Sequence, residues 1–212
     1  MKDCLDKSSM ARQTENVKEV FQETRTRRVV HDVEAMRALA HRDRLAILLF
    51  LLAAPSRTAT ECAEEIGASP SACSYHLREL ERFGYAERVD SIGDGRTRPW
   101  RAAAIGFSLG DWADDSPAAR AARHAIGRAE LEENRRLIAR FTEAVDDLDP
   151  VWRDASDFHN FELTLTAEEL RGLNEQVAAL LSPYRTPVRA DAPEGAAAVH
   201  VMYQAFPRTD RP

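Results

Sequence analysis

Residues able to make directional polar contacts gather between positions 69 and 101. Cys73, Leu77 and Leu80 lie four and three residues apart, so on a helix they form one inward stripe. Ser71, Ala72, Ser74, Tyr75 and Arg78 then fall on the opposite side, with His76 at the border. Hydroxyls in such positions suit hydrogen bonds to phosphate oxygens or base edges. Tyr75 can stack on a sugar or bond a phosphate, and Arg78 can clamp phosphate or guanine. Further on, Arg96 and Arg98 are two apart, so on a strand they share a face, and at a hairpin tip they could enter a minor groove or bind phosphates. Ser69, Ser71, Ala72, Ser74, Tyr75, His76, Arg78, Arg96 and Arg98 are therefore the candidate nucleic-acid contacts. Each alone reads equally well as solvated surface; the elements around them raise the reading above that.

Those elements are signalled locally. Ser69 before Pro70 is a helix cap followed by a first-turn proline, and Gly84 ends the run. Upstream, Ala63 and Ile66 with their flanking glutamates predict a short helix closed by Gly67. Two short helices joined by Gly67-Ala68-Ser69 make a helix-turn-helix. Residues 85–89 alternate as a strand does, Gly93-Asp94-Gly95 signals a turn, and residues 96–101 return as a second strand, where Pro99 suits an edge. A hairpin directly after a helix-turn-helix is the winged-helix layout. Before it, Val33, Met36, Leu39 and Ala40 follow a helical stripe, and after His41-Arg42-Asp43 a run apolar nearly all round, residues 45–52, predicts a core helix stopped by Pro55.

The rest of the 212-residue chain divides accordingly. Residues 1–27 are an N-terminal arm, partly helical over 13–25 or frayed. Residues 28–105 are the winged helix-turn-helix domain. Residues 106–150 hold a polar break and one long helix, 118–148, whose drifting apolar stripe suits dimerisation, with Met36, Leu39 and the arm adding to the seam. Residues 151–212 form a small α/β unit: a strand over 158–165, a helix begun by the capping box Thr166-Ala167-Glu168-Glu169, and a strand over 198–203. The fold class is thus mainly α (α+β).

Charge initially argues against a nucleic-acid partner, since the formal net charge is −6. Its distribution answers this: residues 26–101 carry 12 Lys+Arg against 11 Asp+Glu, whereas residues 102–212 carry 12 against 19. No apolar run reaches membrane-spanning length and no secretory leader is evident, so a cytoplasmic protein without a membrane partner is expected. Cys4, Cys62 and Cys73 are odd in number and widely spaced, which disfavours a disulfide framework. No catalytic motif, cofactor loop or paired metal-ligand spacing is present, so no enzyme activity, cofactor or metal is expected. The aromatics of the C-terminal half, from Trp112 to Phe206, leave open a pocket for a small-molecule effector.

Four segments together resemble arsenic-repressor-type (ArsR-like) regulators, closest to their larger actinobacterial members: Ala38-Leu39-Ala40-His41 with Arg44-Leu45-Ala46-Ile47-Leu48; Thr60 to Gly67; Ser74-Tyr75-His76-Leu77-Arg78-Glu79-Leu80; and Gly93-Asp94-Gly95-Arg96. The resemblance covers roughly residues 28–101; the tail around Trp152 and residues 165–170 is similar more loosely. It implies a homodimer on an inverted repeat of double-stranded DNA, usually as a repressor. It departs at the cysteines, because metal-sensing members carry a pair in the first helix of the motif and this chain has only Cys62 there. Two rivals stay open: a winged-helix protein-interaction module that binds no DNA, and a thiol- or ligand-responsive sensor, which would need Cys62 or Cys73 exposed near another ligand.

Overall fold

Side-chain caps set where the N-terminal helices begin. The Asp32 carboxylate accepts the Ala35 N–H at 2.8 Å and starts helix α1, Val33–Leu39. His41 caps α2, Arg42–Leu52, whose Leu45, Ala46, Ile47, Leu48 and Leu51 are all buried, as an all-apolar helix must be. Thr58 and Glu61 form a reciprocal capping box that opens α3, Ala59–Ile66. Gly67, in the left-handed region at φ 64°, closes α3 and turns the chain towards α4, Pro70–Arg82, capped by Ser69 with proline in its first turn. The computed structural model describes residues 28–89, 98–109, 114, 116–186, 189 and 191–208.

After α4, Gly84 has φ 69°, and the Arg28 guanidinium occupies the place where a side chain would start. Strand β2, Ala86–Arg88, then pairs antiparallel with β3, Trp100–Ala102, with Ala86 opposite Ala102 and Arg88 opposite Trp100. Arg57 adds a one-residue bridge on the far side of β3 through two 2.7 Å backbone bonds with Trp100. Trp100 is buried there, with Arg88 over its ring at 4.3 Å. The wing therefore has the predicted base, while its turn at residues 93–95 and Arg96 lie outside the described residues.

A second, parallel pair was not anticipated. A three-residue strand before α1, β1 at Arg28–Val30, pairs with β4, Phe107–Leu109, and buries Val30. Between the two sheets Tyr85 is fully buried; its hydroxyl donates to the Ala35 carbonyl at 2.8 Å and its ring meets Phe107 edge-on. Burial pushes the phenol above its ordinary range. The sequence suggests only a strand residue here, but the tyrosine fastens the root of the wing to α1.

The long helix is present as α5, Pro117–Ala144, capped by Ser116 and continued by one turn of 3-10 helix, Val145–Asp147. Its Ala119, Ala122, Ile126 and Ala129 are buried, and its first half packs on α1 and α2. Met36 and Leu39 are 2% and 4% exposed inside this packing. That corrects the expectation that they add to a subunit seam, because α5 of the same chain already covers them.

Beyond it come α6, Pro150–Asp154, and α7, Ala167–Leu181, opened by the expected capping box at Thr166 and Glu169. The predicted strands over 158–165 and 198–203 do not form: both runs join no ladder among the described residues. A strand needs a hydrogen-bonded neighbour as well as an alternating pattern, and among the described residues none reaches them. The expected arm, residues 1–27, lies outside the described residues. Among those described, no helix is long and apolar enough to cross a membrane.

Candidate nucleic-acid interface

Helix α4 is anchored as its periodicity requires. Cys73, Leu77 and Leu80 are 0% exposed against α2 and α3, while Ser71, Tyr75 and Arg78 face outward, Tyr75 at 55%. Ser69, the cap, is exposed and its hydroxyl lies 3.1 Å from that of Ser71. Ala72 and Ser74 are half-buried at the flanks. The Arg78 Nε donates to the Ser74 carbonyl at 3.0 Å, which lays the side chain along the helix surface. Arg98, just before β3, is exposed. Glu81 is exposed on the far turn of α4, and Glu79 is half-buried 3.7 Å from Arg82. The outward centre of the helix therefore presents hydroxyls, a phenol and a guanidinium, which can donate to phosphates and read base edges.

His76 departs from the expected set. It is 8% exposed and turned inward against the start of α2, with its Nε2 3.7 Å from Asp43 Oδ2 and its ring 4.7 Å from that of His41. Its position on the helix is intermediate, and the neighbouring helix decides its direction; a buried imidazole cannot reach a base. Burial, then the nearby His41 and Arg44, hold its pKa below the ordinary histidine value, while Asp43 opposes them. His41 is lowered too, by burial and Arg44. His76 Nδ1 is buried without a hydrogen-bond partner, which a neutral ring tolerates as a bare lone pair better than a charged ring tolerates an unpaired N–H.

Donor atoms of His41, Asp43 and His76 lie within 4.8 Å of one another, close enough to share a cation. The positive charge of Arg44, which already disfavours protonation of both rings, would also oppose a divalent ion. The arrangement works instead as a contact holding α4 on α2. Its charge state has a measurable consequence. Because the folded pKa of His76 is lowered, the unfolded chain takes up the proton first as pH falls below about 6.5. Stability is undiminished above that pH and declines below it. A thermal melt series from pH 7.5 to 5.5 is expected to show Tm falling, with a shallower fall for His76→Gln. Equal slopes would mean that His76 does not contribute.

Cys62 on α3 and Cys73 on α4 are both buried, at 0% exposure. The neighbouring Cys73 sulfur first, then burial, push the Cys62 thiol up, and neither sulfur is open to a reagent or a metal. This removes the observation on which a thiol sensor depended. The described members of the aromatic set stand at the surface: Trp152 is 37% exposed, Phe158, Phe161, Tyr184, Tyr203 and Phe206 are each more than 40% exposed, and Trp112 lies outside the described residues. A groove of about 620 Å³ opens elsewhere, between α2, α3 and α5, and its lining is largely charged, including Glu65, Glu133, Arg136 and Arg140. There Arg136 donates to Glu133 at 2.6 and 2.9 Å and to Glu65 at 2.7 Å, and Arg140 joins Glu65 at 2.7 Å. Bonds to Glu133 first, then to Glu65, raise the Arg136 pKa further. Sequence reading missed this cluster because its members sit 71 positions apart.

A family model described as "Helix-turn-helix domain" matches residues 39–84, from the end of α1 to Gly84. Among curated proteins no sequence match is found. Solved structures similar to the chain include a mutant of ZitR from Lactococcus lactis in apo form, at 15% identity, covering 84% of this chain and 97% of that one with a TM-score of 0.28. Another is the PcaV transcriptional regulator from Streptomyces coelicolor with its natural ligand, at 14% identity, 87% and 98% coverage and a TM-score of 0.30. A third is a MarR family transcription regulator, at 18% identity, 87% and 99% coverage and a TM-score of 0.30. Likeness at these scores decides nothing about this chain. Its own elements and the match over residues 39–84 establish that it carries a winged helix-turn-helix domain.

Proposed function

We propose that the chain is a DNA-binding transcriptional regulator of the ArsR-like kind, acting as a repressor on an inverted-repeat operator. It binds as a homodimer, each copy placing α4 in a major groove and its wing on the flanking backbone. The observation that carries this reading is the two-sidedness of α4: Cys73, Leu77 and Leu80 sealed inside, Ser71, Tyr75 and Arg78 open to solvent on the opposite face. One module has too small an interface for high specificity, and two copies reading two half-sites remedy that. Contact with chromosomal DNA places the protein in the cytoplasm.

The contacts divide by role. Tyr75 and Ser74 stand where base edges pass, whereas Arg96 and Arg98 belong to the wing and meet phosphates. Selection of bound fragments from random DNA by the purified protein tests the whole reading; a set with no enriched symmetric motif would end it. With a selected site in hand, replacing Arg96 and Arg98 by alanine is expected to weaken binding to every sequence and reduce the slope of log affinity against log salt by about 2. Tyr75→Ala is expected to change which half-sites are preferred. An unchanged slope would take the wing out of the mechanism, and a uniform loss with Tyr75→Ala would show that this residue only positions the helix.

A further inference from the structure

Beyond α5 the chain is rich in apolar side chains and yet has no core. Among the described residues from 150 onward, Ser182 alone is buried, and α7, though amphipathic in sequence, buries none of its residues. Before α7, Phe161, Leu163 and Leu165 alternate with Glu162 and Thr164; after it, Val199, Val201 and Tyr203 alternate with His200 and Met202. All six of those apolar side chains are exposed, from 42% at Leu165 to 73% at Phe161. Both runs keep the period of a half-buried strand while belonging to no sheet.

These runs are nevertheless held in place. Tyr203 Oη donates to Asn174 Oδ1 of α7 at 3.0 Å, Arg208 reaches Glu162 at 3.5 Å, and Phe158 rests on Phe141 of α5 with ring centroids 5.6 Å apart. Arg185 at the end of α7 donates to the Ile105 carbonyl at 3.0 Å, which ties the unit to the winged domain.

We propose that this surface docks a second copy of the same chain, the extended runs of the two copies pairing as strands across a twofold axis while the α7 stripes pack over them. The inference rests on the regulator reading only for its need of two copies. Three arguments favour a second copy. The exposed side chains of the two runs, with the uncovered face of α7, amount to on the order of 800 Å² per copy, the size of a stable dimer interface and well above the patches monomers leave bare. A twofold axis brings the same apolar patch of each copy together, so the surface is self-complementary in an isologous contact. Its polar rim mixes signs, with Glu162 beside Arg208, so two copies meet without net repulsion. This adds the C-terminal unit to a seam expected along the long helix, in place of Met36 and Leu39, which the chain buries itself.

The test is sedimentation of the full chain and of a Leu163→Glu/Val201→Glu variant, with hydrogen exchange on both. Since both side chains are exposed in the single chain, the helical far-UV circular dichroism should be retained, with any loss confined to the strand contribution. The wild type is expected to be a dimer, and the variant to dissociate with a Kd raised by about 100-fold or more. Slow amide exchange over residues 159–165 and 199–203 should become fast in the variant. A monomeric wild type, a variant that dimerises as tightly as wild type, or fast exchange in both runs of the dimer would each overturn the proposal. A wild-type dimer that the variant breaks, but that selects no DNA, would uphold this interface and remove the regulator reading. Operator selection with an undisturbed variant dimer would do the reverse.

Discussion

Leu77→Ala is expected to cost about 3–5 kcal/mol of folding stability, because it empties a site with 0% exposure at the junction of α2, α3 and α4. Against a total of about 5–15 kcal/mol for a domain, that leaves a marginal fold. The neighbours, Cys62, Cys73, Leu80 and Ile47, are themselves fully buried, so they have little freedom to close the cavity. Chemical denaturation followed by circular dichroism measures the loss. The paired control is Ser71→Ala one face away, which should change stability by less than about 0.5 kcal/mol. Similar effects from the two substitutions would mean that the helix is not seated by the Cys73–Leu77–Leu80 stripe, and the outward face would lose its assignment with it.

Arg136→Met is expected to cost about 2–3 kcal/mol. Glu133 is 3% exposed, and both of its carboxylate oxygens accept from Arg136. Removing the guanidinium leaves a buried carboxylate unpaired, and it also removes one of the two arginines on Glu65 of α3. Partial exposure of Arg136, at 26%, puts the estimate below that for a fully buried pair. The second half of a cycle makes the argument specific: Arg136→Met combined with Glu133→Leu should recover most of the loss, since an apolar pair needs no counter-charge. Lack of recovery would place the effect in packing of the arginine stem. The cluster joins the long helix to the first helix of the helix-turn-helix, so the single variant should also loosen α3 in hydrogen exchange.

The thiol reading and the pocket reading meet different ends. Cys62 and Cys73 are closed off from reagents, so labelling of the native protein at either should be slow. The aromatic residues Phe158, Phe161, Tyr184, Tyr203 and Phe206 of the tail face solvent.

Amino-acid order alone determined the helix-turn-helix. Ser69-Pro70, Gly67 and the spacing of Cys73, Leu77 and Leu80 act within one or two turns, and caps and periodicity work at that range. Thr58 and Glu61 are equally legible as a capping box, their spacing being that of an N-cap and the third helical residue. Tertiary structure decided what depends on distant partners. The parallel pairing of residues 28–30 with 107–109 joins segments with no shared local signal. The inward turn of His76 follows from Asp43 and His41 on another helix, and the burial of Met36 and Leu39 from α5. Alternation over 158–165 and 198–203 marks strands, but a strand exists only when a neighbour supplies its hydrogen bonds, and among the described residues none does.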